Sequence, residues 1–469
     1  MAVMTRWRDG QRALGELILF GVVGAPEALM DPVLRRIDRL LDDEALVGAV
    51  WRVMRQRRPQ SARRGRPATP AETVLRLLVL KHLKRWSYDQ LEWEVRGNVV
   101  YRHFCRIGGG RVPDAKTLVR WGQLLDAAVL REVFDRIVAQ ARVHDVTRGR
   151  RLRVDTTVVE APIRYPTDSG LCEDSVRVLS RAMRTIAAAG VCGPVLRNVR
   201  RSVSRRMREI AQGLRRRGDA AIAAIERPYR GLLRITGRIV RQAERTVAAT
   251  RRQLPGLEVA ARRAAARALA VLETMVPRAR QVLRQTRARI VQRRTTSADK
   301  LVSLFEPYAR IIRKGKLHRP TEFGVLVKIQ ETEGGIVTDI AAVAGTSDAP
   351  LLVPAVERHI AVFGRAPALL AVDRGFYSGA GEQRAQALGV HRVVMPKPGY
   401  RSAPRIGYEQ QRWFRRGRAW RAGGEARIAR LKHRFDMARS RYRGEHGMAR
   451  TIHWAAIANN LTAVAAIGT

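Results

Sequence analysis

The sequence contains little cysteine, little acidic charge and no long uninterrupted apolar run. Cysteine occurs three times in 469 residues, at Cys105, Cys172 and Cys192, without the spacing of a metal site. So few cysteines exclude a disulfide framework and indicate a reducing compartment.

No apolar segment predicts a membrane span. The segment "WAAIANNLTAVAAIG" is short and is interrupted by Asn459 and Asn460, which favours a buried helix. The stretch "LILFGVVGA" at 17–25 resembles a signal peptide only weakly, and Glu16 precedes it. We interpret residues 1–30 as an N-terminal extension, with Met30 as an alternative start, and we expect no membrane partner.

The shortage of acidic residues leaves a strongly positive chain. There are 42 Asp and Glu against 89 Lys and Arg, which gives a net charge of +47. Such a surface attracts polyanions, and nucleic acid is the leading candidate. A ribosomal-type basic protein and a membrane-surface binder are the alternatives. Hydrophobic residues make up 46% of the chain, which excludes a disordered basic tail, and the length predicts two or three domains.

Residues 31–145 are predicted to form a helical, helix-turn-helix-like DNA-binding domain. Apolar positions recur at helical spacing, and Ser87 and Asp114 are placed to cap two of the helices. Short helices with tight connections in a basic setting are typical of helix-turn-helix proteins. A plain helical bundle explains the periodicity equally well. In the helix that Asp114 is placed to cap, the residues of the first turns are expected to contact DNA, namely Lys116, Thr117 and Arg120.

The segment "RRGRP" at 63–67 offers a second DNA contact. Arg64 and Arg66 are the residues that an arginine arm would place in a minor groove. The alternative is an ordinary charged linker.

Residues 176–312 are predicted to be a basic helical insertion. Thirty Arg and one Lys stand against seven Asp or Glu between positions 177 and 300, and this excess of +24 is about half of the total charge. The apolar positions do not keep a strict heptad, which favours helical hairpins over a long coiled coil. The functional interpretation is a surface that grips DNA, and the alternative is a solvated helical face.

Residues 146–175 and 313–469 predict a mixed α/β core. "RVDTTVVEAP" at 153–162 has the β-branched residues of a strand but carries Asp155, a poor strand former. Gly334–Gly335 separates two β-rich runs and predicts a hairpin. "APALLAVD" predicts a buried central strand that ends at Asp373, and a helix follows that contains Glu425.

Three carboxylates from separate elements are the candidate catalytic site. Sites form where the strands of an α/β sheet end, so Asp155, Asp373 and Glu425 are expected to converge there. Three hard oxygen ligands suit Mg²⁺ or Mn²⁺, and two such ions can clamp a phosphodiester during in-line displacement. Singly, the three can be a strand-edge charge, a helix cap and an ion-pair partner of Arg421. Asp168, in "YPTDSGL", is a rival carboxylate that we interpret as a loop residue.

These motifs resemble the DDE transposases of bacterial insertion sequences. The likeness is carried by "RVDTTVVEAPIRYPTDSGL", "LLAVDRGFYSG", "EARIARLKHRFDMARSRYRGEHG" and "WAAIANNL", and N-terminally by "GRPATPAETVLRLLVLKHLKRWSYDQLEWEV". It covers nearly the whole chain after residue 30. It implies a ribonuclease H-like core with Asp155, Asp373 and Glu425 as catalytic and metal-binding triad and two Mg²⁺ or Mn²⁺ ions. It implies binding of terminal inverted repeats, cleavage, and joining of the 3′-hydroxyl to target DNA by a homodimer in the bacterial cytoplasm, associated with the nucleoid.

One branch of that family carries Tyr-x2-Arg-x3-Glu-x6-Lys on the Glu helix. Arg421, Glu425 and Lys432 fit this spacing, while Arg418 replaces the Tyr. The resemblance therefore assigns Arg421 and Lys432 to flanking DNA phosphates. The 217 residues between Asp155 and Asp373 exceed a minimal core, and the basic insertion accounts for the excess.

Two other functions remain open from the sequence. The first is a metal-dependent nuclease that cuts DNA without joining it. The second is a catalytically silent, architectural DNA-binding protein, which would bind DNA in a salt-sensitive way without forming a Mg²⁺-dependent product.

Overall fold

The computed structural model describes residues 26–57, 69–194, 197–294, 299–313, 321–344 and 347–466. The chain forms two compact units, one of Met1–Glu160 with Val325–Thr469 and one of Ala161–Gly324. The second unit is longer at both ends than the insertion predicted at 176–312. The assignment of separate functions to these parts stays a prediction.

The first unit begins with helices, as the apolar periodicity of residues 31–141 predicts. Ser87 Oγ accepts a hydrogen bond from Gln90 N–H at 3.0 Å, and Asp114 Oδ1 accepts one from Thr117 N–H at 2.8 Å. Both predicted N-caps are thereby confirmed. The helices in the described part of this region are α1 (Pro32–Leu40), α2 (Glu44–Arg57), α3 (Ala71–Lys84), α4 (Tyr88–Gly97), α5 (Val99–Phe104), α6 (Ala115–Leu124) and α7 (Ala127–Val143).

A buried cluster of charges joins these helices. The side chain of Arg76 is fully buried, and its guanidinium contacts Asp38 and Asp42 at 2.7 Å and Glu72 at 3.0 Å. Arg106, just after α5, also contacts Asp38, at 2.8 Å. Removal of one partner from such a cluster leaves an uncompensated buried charge, which costs about 3–5 kcal/mol. The cluster therefore specifies how α1, α3 and the end of α5 pack.

A mixed sheet follows the helices. The strands of the described chain are β1 (Arg151–Glu160), β2 (Arg310–Ile312), β3 (Glu322–Thr332), β4 (Val337–Val343), β5 (Leu369–Val372) and β6 (Arg392–Val394). In the first unit β3, β1, β5 and β6 are neighbours in that order, and β4 pairs with β3. The β3–β4 pair is antiparallel, which confirms the predicted hairpin. The strand β5 is parallel to both β1 and β6, which confirms its central position.

The second unit is mostly helical, as predicted. Its described helices are α8 (Asp168–Ala188), α9 (Arg200–Gly213), α10 (Asp219–Gln253) and α11 (Val259–Ile290), which share one apolar core. Two expectations are wrong here. First, β2 lies within the region predicted to be helical, where it pairs with the first residues of β3. Second, Asp168 is no loop residue: it begins α8, and its buried carboxylate contacts Arg289 at 2.6 Å.

Helices cover both faces of the sheet in the first unit. They are α12 (Leu352–Phe363), α13 (Gly379–Ala387), α14 (Ala403–Gln410), α15 (Arg412–Arg434) and α16 (Gly444–Ala466). The apolar residues of α12 share a core with Leu152 and Val154 of β1. On α15, Phe414 packs against Ala371 and Val394. One face of β1, with Leu152 and Val154, thus packs against α12. The opposite face, with Arg153 and Asp155, lies against α15.

The last helix is buried, as its composition predicts. The side chain of Asn460 accepts a hydrogen bond from Val337 N–H at 2.9 Å and donates one to Val337 C=O at 2.7 Å. These bonds satisfy a polar side chain inside the core. In the described residues, no helix combines the length and the apolar character that crossing a membrane requires.

Candidate active site

Two of the three predicted carboxylates lie side by side because of strand register. Val154 of β1 is paired with Val372 of β5, and the two strands are parallel. Asp155 is the next residue of β1, which continues to Glu160, and Asp373 directly follows the last residue of β5. The two aspartates therefore lie beside each other at the point where β5 ends. Asp155 Oδ1 accepts a hydrogen bond from Thr156 N–H at 2.8 Å, and Asp373 Oδ1 accepts one from Arg374 N–H at 2.7 Å.

The third carboxylate comes from α15, which lies close to the strands. A Cβ atom on Gly417 would lie 2.5 Å from Val394 Cγ2, and one on Gly423 would lie 2.9 Å from an Arg153 guanidinium nitrogen. Only glycine therefore permits this approach without displacement of a neighbour. The close packing brings Glu425 to the strand edge that carries Asp155.

Arg421 lies among all three carboxylates. One terminal nitrogen is 3.1 Å from Asp155 Oδ2 and 3.6 Å from Asp373 Oδ2, and the other is 3.7 Å from Glu425 Oε1. The structure thus brings the three predicted residues to one place, around a cation that the chain itself supplies. The ion pair between Arg421 and Glu425 that the helical spacing suggests is also present. The assignment of Arg421 to a DNA phosphate stays a prediction.

The carboxylates have the chemistry of a magnesium site but not its geometry in this conformation. Among the described residues, no group of three His, Cys, Asp or Glu side chains is close enough to hold a metal ion. The guanidinium of Arg421 lies between them, and a positive charge is what three carboxylates require. Its Nε is buried and has no hydrogen-bond partner in the described part of the chain, so this arginine is incompletely satisfied there. Binding of one metal ion by all three would require the Arg421 side chain to move and the carboxylates to approach one another.

A buried ionic network beneath the site was not predicted from the sequence. Glu331 of β3 accepts hydrogen bonds from Arg153 at 2.8 Å and from Arg427 at 2.9 Å. Arg153 also donates to Trp420 C=O at 2.7 Å, and Arg427 donates to Asn459 at 2.9 Å. The network therefore holds α15 on both sides of Glu425. The sequence feature that could have indicated this network is Arg153. It shares a face of β1 with Asp155, because side chains two residues apart in a strand point the same way.

A fourth carboxylate near the strand edge was also missed. Asp348, in the loop before α12, accepts a hydrogen bond from Thr156 Oγ1 at 2.8 Å. Thr156 directly follows Asp155, so Asp348 helps to fix the backbone that carries the first candidate ligand. No local pattern marks Asp348, because only the fold brings this loop to β1.

The tryptophans of α15 are used in packing. Trp413 packs edge-to-face on Tyr408 with ring centroids 5.3 Å apart. Trp420 lies 4.9 Å from the Arg153 guanidinium, in cation–π geometry. Both observations agree with a packing role.

The predicted DNA contacts of α6 are on its surface. Lys116 and Arg120 are exposed, Thr117 is half-buried, and Leu118 between them is buried in the helical core. Glu92 of α4 accepts a hydrogen bond from Ala115 N–H at 2.7 Å and so fixes the start of α6. Arg64 and Arg66 lie outside the described residues. The DNA-binding role of all five residues stays a prediction.

Lys432, the last residue of the predicted Arg-Glu-Lys pattern, lines an open basic depression. Arg85, Arg439 and Arg441 line it with Lys432, together with the carboxylate of Asp436. Asp436 contacts Arg85 at 2.8 Å and Arg441 at 3.2 Å. The excess of cations makes the depression suitable for a phosphate group.

The helical region is also the part of the chain that matches a known family. Residues 27–124 match the family model described as transposase domain (DUF772). This segment runs from before α1 to the end of α6. No curated protein and no solved structure showed significant similarity to the chain. The match supports a relation of this helical segment to transposase proteins.

Proposed function

We propose that this chain is a DDE-type transposase of an insertion sequence. The observation that carries the proposal is the convergence of Asp155, Asp373 and Glu425 around the Arg421 guanidinium, at 3.1–3.7 Å. Transposase-domain similarity at residues 27–124 supports the same function from an independent part of the chain.

The sheet supports a ribonuclease H-like core for this enzyme. The hairpin of β3 and β4 lies on one side of β1, and the parallel strands β5 and β6 lie on the other. The proposed catalytic residues occupy β1, the end of β5 and a helix that follows β6. The helical unit of Ala161–Gly324 is inserted after β1 and accounts for the long separation of the two aspartates.

In this proposal the three carboxylates would hold two Mg²⁺ or Mn²⁺ ions once Arg421 has moved. Bound Mg²⁺ supplies an activated water and stabilises the charge that develops during in-line displacement at phosphorus. Asp155 and Asp373 accept backbone hydrogen bonds that fix their carboxylates, so these two would hold the ions in a defined position, and Glu425 would complete the ligand set from α15. The displaced Arg421 is then available for a DNA phosphate.

The proposed reaction has two displacements at the same carboxylates. Water first attacks the phosphodiester at the end of the element and breaks its P–O3′ bond, which leaves a 3′-hydroxyl on the element and a 5′-phosphate on the flanking DNA. That hydroxyl then attacks a phosphodiester of target DNA and displaces a 3′-oxygen of the target strand, so a covalent protein–DNA bond is not needed. Two ends must be joined, and a homodimer is the proposed assembly.

The test is a cleavage and joining assay. A labelled linear duplex that contains the end of the protein's own element is incubated with Mg²⁺ or with EDTA. We expect Mg²⁺-dependent nicking at the repeat boundary, followed by joined products. Glu425→Gln should abolish both, while Glu357→Gln, an exposed residue of α12, should not change them. Binding without cleavage would contradict the proposal, and nicks without joints would identify a nuclease.

A further inference from the structure

The second unit contains a concave surface between α8 and α9. Residues of both helices line a cavity of about 420 Å³. A second depression adjoins it and shares Asn198, Arg200 and Ser204 with it. The whole surface belongs to the unit of Ala161–Gly324, which the proposed catalytic site does not use.

Two stripes of arginine border this surface. Both stripes have the spacing i, i+4, i+7, which places their side chains on one face of each helix. All six side chains are exposed, whereas Val176 and Val203 in the lining are buried. The arginines are Arg177, Arg181 and Arg184 on α8 and Arg201, Arg205 and Arg208 on α9.

The positive charge of this surface is poorly compensated by the chain. Arg177 contacts Asp174 at 2.6 Å, and Arg205 lies 3.9 Å from Glu209. The other four arginines of the two stripes make no ion pair with a described residue. Like charges one helical turn apart repel each other, so an external anion would stabilise this arrangement.

We infer that the arginine groove, defined by the two stripes, binds the phosphate backbone of double-stranded DNA. This inference rests on the proposed transposase function and assigns a second DNA contact to it, separate from the carboxylate site. Each stripe is about 10 Å long, a length over which one DNA strand presents about three phosphates. A concave surface fits the convex backbone of a duplex better than it fits a flat anionic membrane.

The test compares two triple variants of the full chain that lose the same charge. The groove variant is Arg201→Gln, Arg205→Gln and Arg208→Gln. The control variant changes three exposed arginines with the same i, i+4, i+7 spacing on α10, namely Arg234→Gln, Arg238→Gln and Arg241→Gln. Binding of a random-sequence duplex of about 30 base pairs is measured by fluorescence anisotropy in EDTA, between 50 and 200 mM salt.

We expect the groove variant to bind DNA about 10- to 100-fold more weakly near 0.1 M salt. The slope of log K against log[salt] should fall by about 2–3, since each phosphate contact contributes about 0.9. The control variant should keep the wild-type slope. Circular dichroism and the melting temperature verify folding, and Arg181→Gln with Arg184→Gln tests the opposite stripe if the first variant does not fold.

Equal losses in the groove and control variants would overturn the inference, because total charge rather than the groove would then bind DNA. Wild-type affinity in the groove variant would also overturn it, while cleavage in Mg²⁺ would still support the transposase. Failure of the wild-type chain to bind any duplex would refute both proposals. Because binding is measured in EDTA, the result does not depend on the metal site.

Discussion

The position of Arg421 makes a quantitative prediction about metal binding. In the structure the guanidinium occupies the space between Asp155, Asp373 and Glu425, which is where we propose that metal ions bind. Binding of an ion must displace the guanidinium, and the protein then loses the contacts between Arg421 and the three carboxylates. We therefore expect Arg421→Gln to bind Mg²⁺ more tightly than the wild-type protein in the absence of DNA.

The exposure of each partner sets the magnitude of this effect. The side chains of Arg421 and Asp155 are 20% and 21% exposed, whereas those of Asp373 and Glu425 are 47% and 73% exposed. Solvent screens the last two contacts, and an exposed pair contributes only about 0.2–1 kcal/mol. The three contacts together amount to about 1–2 kcal/mol, which corresponds to a dissociation constant about 5- to 30-fold lower in the variant.

The assay is isothermal titration of Mg²⁺, supported by the rise in melting temperature with Mg²⁺ concentration. The matched control is Arg418→Gln, one turn earlier on α15, which removes the same charge from an exposed position. If Arg421→Gln bound Mg²⁺ no more tightly than Arg418→Gln, the guanidinium would not compete with the ion. The reasoning about this site would then be wrong. We expect Arg421→Gln also to lose cleavage activity, because the released arginine is proposed to hold a phosphate.

Three further predictions concern packing, pH and thiol reactivity. Gly417→Ala should lower the free energy of unfolding by about 1–3 kcal/mol, because its Cβ would lie 2.5 Å from Val394 Cγ2, and DNA cleavage should fall as α15 shifts. Gly407→Ala, with no atom within 4 Å of the added Cβ, is the control in urea denaturation, and equal effects would contradict this account. Burial lowers the pKa of His359 to about 4, so the unfolded chain binds a proton that the folded chain does not. This group alone should lower the stability by about 2 kcal/mol between pH 7.5 and pH 5, and His359→Gln should show a correspondingly smaller fall, because burial also lowers the pKa of His82 and of His453. Cys192 is exposed, whereas burial raises the pKa of the other two thiols, so a thiol reagent should modify one cysteine in the native protein and three in denaturant. Rapid labelling of more than one native thiol would contradict this burial pattern.

Local sequence determined the elements of this protein. Helix caps such as Ser87 and Asp114, the glycine pair at 334–335 and the apolar run before Asp373 each act within a few residues. The approximate bounds of helices and strands could therefore be predicted. The start of α8 at Asp168 could not, because the Pro-Thr-Asp-Ser-Gly segment suits a turn and an N-cap equally well. There the contact of its buried carboxylate with Arg289, 121 residues away in the chain, holds the aspartate on a helix.

The three carboxylates could be nominated from their types and contexts, but only the tertiary structure brought them together. Parallel register aligns Asp155 with Asp373, and close packing of glycines lets α15 approach the strands. The Arg153–Glu331–Arg427 network and the position of Arg421 between the carboxylates depend on residues far apart in the chain. The sequence alone determined the charge, the helices and the candidate acids. The fold decided which charges meet, because burial and register are properties of several elements at once.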